Sequence, residues 1–209
     1  MLIIIGLIIV SYVIGSIPTG VLVAKARGID IFAVGSGSSG ATNVWRSVGK
    51  KEGAFVMVAD LLKGYLPVVL AQYLEQGPLA AQMQIGIQGL APVLVALASL
   101  IGHSKSIFIN WRGGKSAATG LGTILALNPI CGVIIFALWI TIVLTTKLVS
   151  LASIVAGIAV SIMMYLLHGP MPYVIYCLAA GLYVVVRHKA NIARLVKGQE
   201  PKIGAAKKS

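Results

Sequence analysis

Long apolar windows, broken by short polar and basic stretches, set the pattern of this chain. They run over roughly 2–24, 53–74, 79–102, 131–146, 149–167 and 171–186, with a shorter one over roughly 116–128. A helix needs about 20 apolar residues to cross the hydrocarbon core of a bilayer, so the windows predict membrane helices. Six to eight crossings fit the pattern and seven is the preferred count, a single short window also being readable as a re-entrant or buried helix. The first window has no basic stretch before Leu2 and is too long for the apolar core of a secretory leader, so a retained helix with its N-terminus outside is expected.

Composition agrees with the windows. Of 209 residues, 58% are hydrophobic and 11% charged, against about a quarter charged in ordinary globular domains. The fold class expected is an all-α integral membrane protein, one polytopic domain over residues 1–209.

The cations fix the orientation. Sixteen of the 17 Lys and Arg fall between the first and second windows, the third and fourth, the fifth and sixth, or after the last, Lys207 and Lys208 included. The opposite connections, at Glu75–Pro78, Asn128–Pro129 and His168–Pro170, carry none. By the positive-inside rule this predicts seven helices with the N-terminus outside and the C-terminus cytoplasmic. The net charge of +12 is then largely topological, and no aromatic-studded basic surface points to nucleic acid. Cys131 and Cys177 lie in apolar windows, as small hydrophobes.

Three polar segments fall on the cytoplasmic side. GSGSSGATNVWR, residues 35–46, opens with G-x-G-x-x-G, but no strand–turn–helix unit surrounds it. Its glycines can still turn backbone N–H groups toward an anion. Ser36, Ser38, Ser39, Thr42 and Asn43 add donors, and Arg46 adds a guanidinium suited to two phosphate oxygens. A plain Gly/Ser linker is the alternative, though it has no use for Asn43 and Arg46.

The second segment, residues 102–120, contains Gly113-Gly114-Lys115-Ser116, but a P-loop would need glycine at Ile109. It reads equally as an anion site at a helix start or as a basic loop with glycine punctuation. The third, residues 187–204, predicts an amphipathic interfacial helix whose His188 and Asn191 share a face.

Asp60 and Lys63 lie a helical turn apart inside the second window. At that depth a mutual ion pair or a site-supporting role is expected. No His, Asp or Glu group has metal-ligand spacing, so neither metal nor cofactor is expected. No G-x-S-x-G elbow occurs, and none of His103, His168 and His188 is followed at the fifth position by Asp. Three cation-bearing loops over a hydrophobic bundle point to a phosphate-bearing substrate with a lipid partner or product.

In this light the sequence resembles the bacterial acyl-phosphate:glycerol-3-phosphate acyltransferases, the PlsY family. The resemblance rests on GSIPTG at 15–20, GSGSSGATNVWR at 35–46, DLLKG at 60–64, GHSKSIFINWRGGKSAAT at 102–119, LVSLASI at 148–154 and RHKANIARLVKGQE at 187–200. It implies a multi-pass enzyme of the bacterial inner membrane, with its site facing the cytoplasm. The implied reaction moves an acyl chain from acyl-phosphate to the sn-1 hydroxyl of glycerol 3-phosphate, giving lysophosphatidic acid and phosphate. It also implies catalytic roles for Ser36, Arg46, Lys115, His188 and Asn191. Substrate binding would fall to Gly37, Ser38, Thr42, Asn43, His103, Gly113, Gly114, Thr119, Arg194 and Glu200. The expected partners are the two substrates and membrane lipid, with the protein as a monomer.

Four places depart from the family pattern. Ser38 stands where Asn is usual, Arg112 where Lys is common, Ser116 where Gly is common, and Phe32-Ala33 where a basic residue is frequent. The expected chemistry is direct transfer, with Arg46 and Lys115 on phosphates, Ser36 and loop N–H groups on the oxyanion, and the hydroxyl proton passing to His188 or to a substrate phosphate. The rival class, a small transporter of phosphate-bearing anions, calls for polar residues at the midplane and matched broken helices; the midplane is almost wholly apolar and no internal repeat is visible.

Overall fold

A computed structural model describes residues 2–77, 79–83 and 86–204. Pro78, Lys207 and Lys208, which entered the orientation argument, lie outside the described residues. The helices are α1 (Leu2–Ser16), α2 (Thr19–Lys25), α3 (Ala41–Ser47), α4 (Lys50–Gln76), α5 (Ala80–Met83), α6 (Leu90–Ser104), α7 (Ala117–Leu127), α8 (Pro129–Thr146), α9 (Val149–Leu166), α10 (Met171–Arg187) and α11 (Lys189–Val196), with a 3-10 turn at Ile107–Ile109.

Every apolar window carries a helix, with two differences of detail. The first window is broken at Ile17–Pro18, where the proline ring ends α1. The window from 79 begins its long helix only at Leu90, after a turn in which Gly86 and Gly89 take φ of 81° and 80°, a region glycine enters freely.

Five segments are long and apolar enough to cross a membrane: Leu2–Lys25, Lys50–Gln76, Leu90–Ile109, Pro129–Thr146 and Val149–Leu166. A sixth qualifies if α10 and α11, bent by 61°, count as one. At 11 residues α7 is about 16 Å long, against a hydrocarbon core of about 30 Å. It is largely enclosed, wedged between α4, α6, α8 and α10. Large apolar side chains such as Ile130, Leu144 and Ile162 point outward, the pattern of a lipid-facing belt.

Small residues bring these helices close. A Cβ on Gly64 or Gly122 would strike the backbone oxygens of Thr119 and Leu61, so α4 and α7 touch main chain to main chain. Pro67 inside α4 lacks the N–H that would bond to the carbonyl of Lys63. The Ser99 hydroxyl of α6 donates to that carbonyl at 2.8 Å instead. The Lys63 ammonium donates to the Ile17 carbonyl at the α1–α2 break, 3.0 Å away, and lies 2.8 Å from Asp60 Oδ1. The charge pair expected from spacing is therefore formed, and it anchors the break.

Candidate active site

The first loop is organised by Asn43, on α3 and 3% exposed. Its Nδ2 donates to the carbonyls of Ile31, Val34 and Ser38 at 3.1, 3.1 and 2.9 Å, and its Oδ1 accepts the Ser36 N–H at 3.0 Å. The amide is engaged inside the loop, which gives Asn43 a shaping role there, and the residue also lines the cavity. The expected cradle of loop N–H groups changes too. The Gly37 N–H donates to Val34 and the Gly40 N–H to the Ser38 hydroxyl. The loop's polar side chains that line the cavity are those of Ser36, Ser38, Thr42, Asn43 and Arg46.

The second loop is fastened to the end of α6. The Gly114 N–H donates to the His103 carbonyl at 3.2 Å. A Cβ on Gly113 would strike that carbonyl, and one on Gly114 would strike the imidazole. Small size, more than free N–H groups, is what these two glycines supply, and neither lines the cavity. Lys115, the next residue, does. Ser116 follows at φ 62°, with its hydroxyl donating to the Leu100 carbonyl at 3.0 Å. Thr119, expected to bind substrate, is fully buried against Gly64 and is not among the residues lining the cavity.

The third segment bends at His188 into α11, the helix expected from its pattern, and then crosses back as a strap. Lys115 Nζ donates to Asn191 Oδ1 at 2.6 Å, Asn191 Nδ2 to Glu200 Oε1 at 2.7 Å, and Arg194 Nε to Glu200 Oε2 at 2.7 Å. Arg46 reaches the Pro201 carbonyl at 2.7 Å, and the Ile203 N–H bonds to the Lys147 carbonyl at 2.8 Å. The His188 Nδ1–H donates to the Val184 carbonyl at 2.7 Å. A carbonyl only accepts, so Nδ1 carries the proton and Nε2 of the neutral ring is left as an acceptor.

Burial lowers the Lys115 ammonium to about 8, with Arg194, Arg46 and Arg187 adding to the fall and Glu200 opposing it. Burial pushes the Glu200 carboxyl up, but hydrogen bonds from Asn191 and Arg194 outweigh it and hold the group below its usual range. Among the described residues, the Nε–H groups of Arg46 and Arg187 are buried without a partner. The cations thus rest on neutral oxygens and one carboxylate, with donors to spare for an anion.

The three segments open on one cavity of about 410 Å³. Its polar end holds Ser36, Arg46, Lys115, His188, Asn191 and Glu200, with Asp60 and His103 at its side. Below that it becomes an apolar arm between α7, α8, α9 and α10, lined by Leu121, Trp139, Ala156, Val160 and their neighbours. Gly37 and Arg194 stay outside the lining, Arg194 acting through Glu200. Sequence reasoning missed Ser150, which is buried in the wall beside the Glu200 carboxylate, and Ser153, which accepts from Trp139 Nε1 at 3.1 Å. The serines of LVSLASI were the available signal. No group of three or more His, Cys, Asp or Glu among the described residues could hold a metal ion.

Fold and cavity together define an integral membrane protein whose site joins a cationic head to an apolar tail. The chain belongs to the glycerol-3-phosphate acyltransferase family, whose model matches residues 5–198. It is 47% identical over 206 residues to the glycerol-3-phosphate acyltransferase of Trichormus variabilis, covering 95% of this chain and 91% of the relative. It is 44% identical over 201 residues to that of Rubrobacter xylanophilus, covering 95% and 94%. The structure is also similar to crystal structures of PlsY (YgiH), an integral membrane glycerol 3-phosphate acyltransferase. The glycerol 3-phosphate form superposes with a TM-score of 0.87 at 35% identity over 96% of both chains. The lysophosphatidic acid form gives 0.84 at 35% identity over 96% of this chain and 95% of the other.

Proposed function

We propose that this protein transfers a fatty acyl group from acyl-phosphate to the sn-1 hydroxyl of glycerol 3-phosphate, forming lysophosphatidic acid and phosphate. The observation that carries this reading is the single cavity whose cationic end runs into an apolar arm. It suits two phosphate-bearing substrates, one of them with a long tail. The proposed setting is the bacterial inner membrane, with seven crossings in which α7 is a short one, the N-terminus outside, and the site and C-terminus cytoplasmic. The protein works as a monomer within the lipid.

Acyl-phosphate is a mixed anhydride and already activated, so positioning supplies much of the rate; holding two reactants in register is worth about 7–11 kcal/mol. Arg46 and Lys115 exchange their carbonyl and amide partners for phosphate oxygens. The sn-1 oxygen attacks the acyl carbon while the Ser36 hydroxyl and Lys115 steady the oxyanion. The bond from acyl carbon to bridging oxygen then breaks, and its electron pair leaves with the phosphate. The hydroxyl proton goes to His188 Nε2 or to a phosphate oxygen. Replacing His188 with Ala decides between these: a fall of about a hundredfold or more in turnover supports the imidazole, and near-normal turnover supports the phosphate. The donor is tested by offering palmitoyl phosphate, palmitoyl-CoA and palmitoyl acyl carrier protein to purified protein with glycerol 3-phosphate. Lysophosphatidate from the phosphate alone is expected, and equal yield from the thioesters would overturn the reading.

A further inference from the structure

The apolar arm ends. Ile124 on α7, Ile135 on α8 and Val160 on α9 are its deepest lining residues on those helices, at 6%, 4% and 2% exposure. One turn further, Leu127, Cys131 and Met164 belong to the packed core, and none of them lines the cavity. The layer behind is closed: Cys131 is fully buried, and its Sγ lies 3.9 Å from the Val160 carbonyl. The walls above are narrow but smooth. Gly157 of α9 faces Gly181 of α10 main chain to main chain, with Ala156 and Ala180 beside them. Trp139 forms the opposite wall and is fixed through its bond to Ser153.

We propose that this floor of Ile124, Ile135 and Val160 sets the acyl-chain length the enzyme uses, with a palmitoyl-sized tail reaching it. The inference rests on the acyl-phosphate reading above. From Val149 to Val160 the lining of α9 descends about 16 Å at the helical rise. An extended chain advances about 3.6 Å for every three bonds, so that depth takes about thirteen carbons. The carboxyl end is held above them among Ser36, Lys115 and His188, which brings the tail to palmitoyl length. Protein interiors are packed densely enough that one methylene against a closed floor is felt, and pockets discriminate about 10–200-fold per methylene.

The test compares wild type with Val160→Phe, Val160→Ala and the milder Ile135→Val, each purified and given glycerol 3-phosphate with dodecanoyl, tetradecanoyl, palmitoyl or stearoyl phosphate. Raising the floor with Val160→Phe lowers kcat/KM for palmitoyl and stearoyl phosphate at least about tenfold relative to dodecanoyl phosphate. Lowering it with Val160→Ala or Ile135→Val raises stearoyl relative to palmitoyl phosphate severalfold. Thermal midpoints report folding, and if Val160→Phe does not fold the two smaller substitutions decide. Equal scaling of every donor in the folded variants would overturn the proposal. Wild type inactive with every acyl-phosphate would overturn the donor reading beneath it, a different and separable result.

Discussion

Asn43 spends one side chain on holding a whole loop, so its chemistry is hard to replace. Asn43→Asp keeps Oδ1 for Ser36 but sets a carboxylate oxygen against the carbonyls of Ile31, Val34 and Ser38. Each buried group left unpaired costs about 1–3 kcal/mol. The variant is expected to melt earlier and to lose most of its turnover, as thermal unfolding and product assays would show. Lys115 yields a pH prediction. Its ammonium, lowered by burial to about 8, is charged below that pH and loses its charge above it. The grip on phosphate then weakens, so kcat/KM falls on an alkaline limb near 8, and Lys115→Arg moves the limb upward because guanidinium stays charged. A kcat/KM profile across that range checks both. Two departures from the family pattern explain each other: the Arg112 guanidinium lies 3.8 Å over the Phe32 ring, a cation–π contact joining the first and second loops. A third, Ser116, takes a φ of 62° that favours glycine, and its bond to Leu100 offsets the strain.

At the scale of elements, the bundle is held by close main-chain contact and by one buried charge pair. Lys63→Met would leave the Asp60 carboxyl, 2% exposed, without its ammonium partner and with the His103 imidazole 3.7 Å away; breaking such a buried pair costs about 3–5 kcal/mol. The double variant Asp60→Asn, Lys63→Met removes both charges and is expected to recover much of that loss, measured by thermal unfolding in detergent. This pair was legible in the sequence because i and i+3 positions share a helix face. So were the helices themselves, since hydropathy is a local property. The break at Pro18 and the late start of α6 at Leu90 were not legible in the windows, because mean hydropathy ignores proline and glycine geometry. The site was legible as three loops, but side-chain direction within each was not. Thr119 and Lys115 sit four residues apart, and only the packing of Gly64 against α7 decides which of them faces the cavity. The loop-shaping role of Asn43 was not legible either, because nothing local says that its partners are carbonyls from residues 31, 34 and 38.

Across the whole molecule, the three loops converge because the end of the chain closes over them. Glu200, Pro201 and Ile203 tie α11, Arg46 and Lys147 into one strap above the polar end of the cavity. Such long-range closure has no signature in spacing, and neither has the floor of the apolar arm, which three helices build together. The central claim is that this one cavity carries out the transfer. It is tested most directly by measuring lysophosphatidate and phosphate released from palmitoyl phosphate and glycerol 3-phosphate by purified wild type, Arg46→Ala and Lys115→Ala. The two products are expected in equal amounts from wild type, with each variant slower by about a hundredfold or more. Wild-type rates in both folded variants would contradict the account.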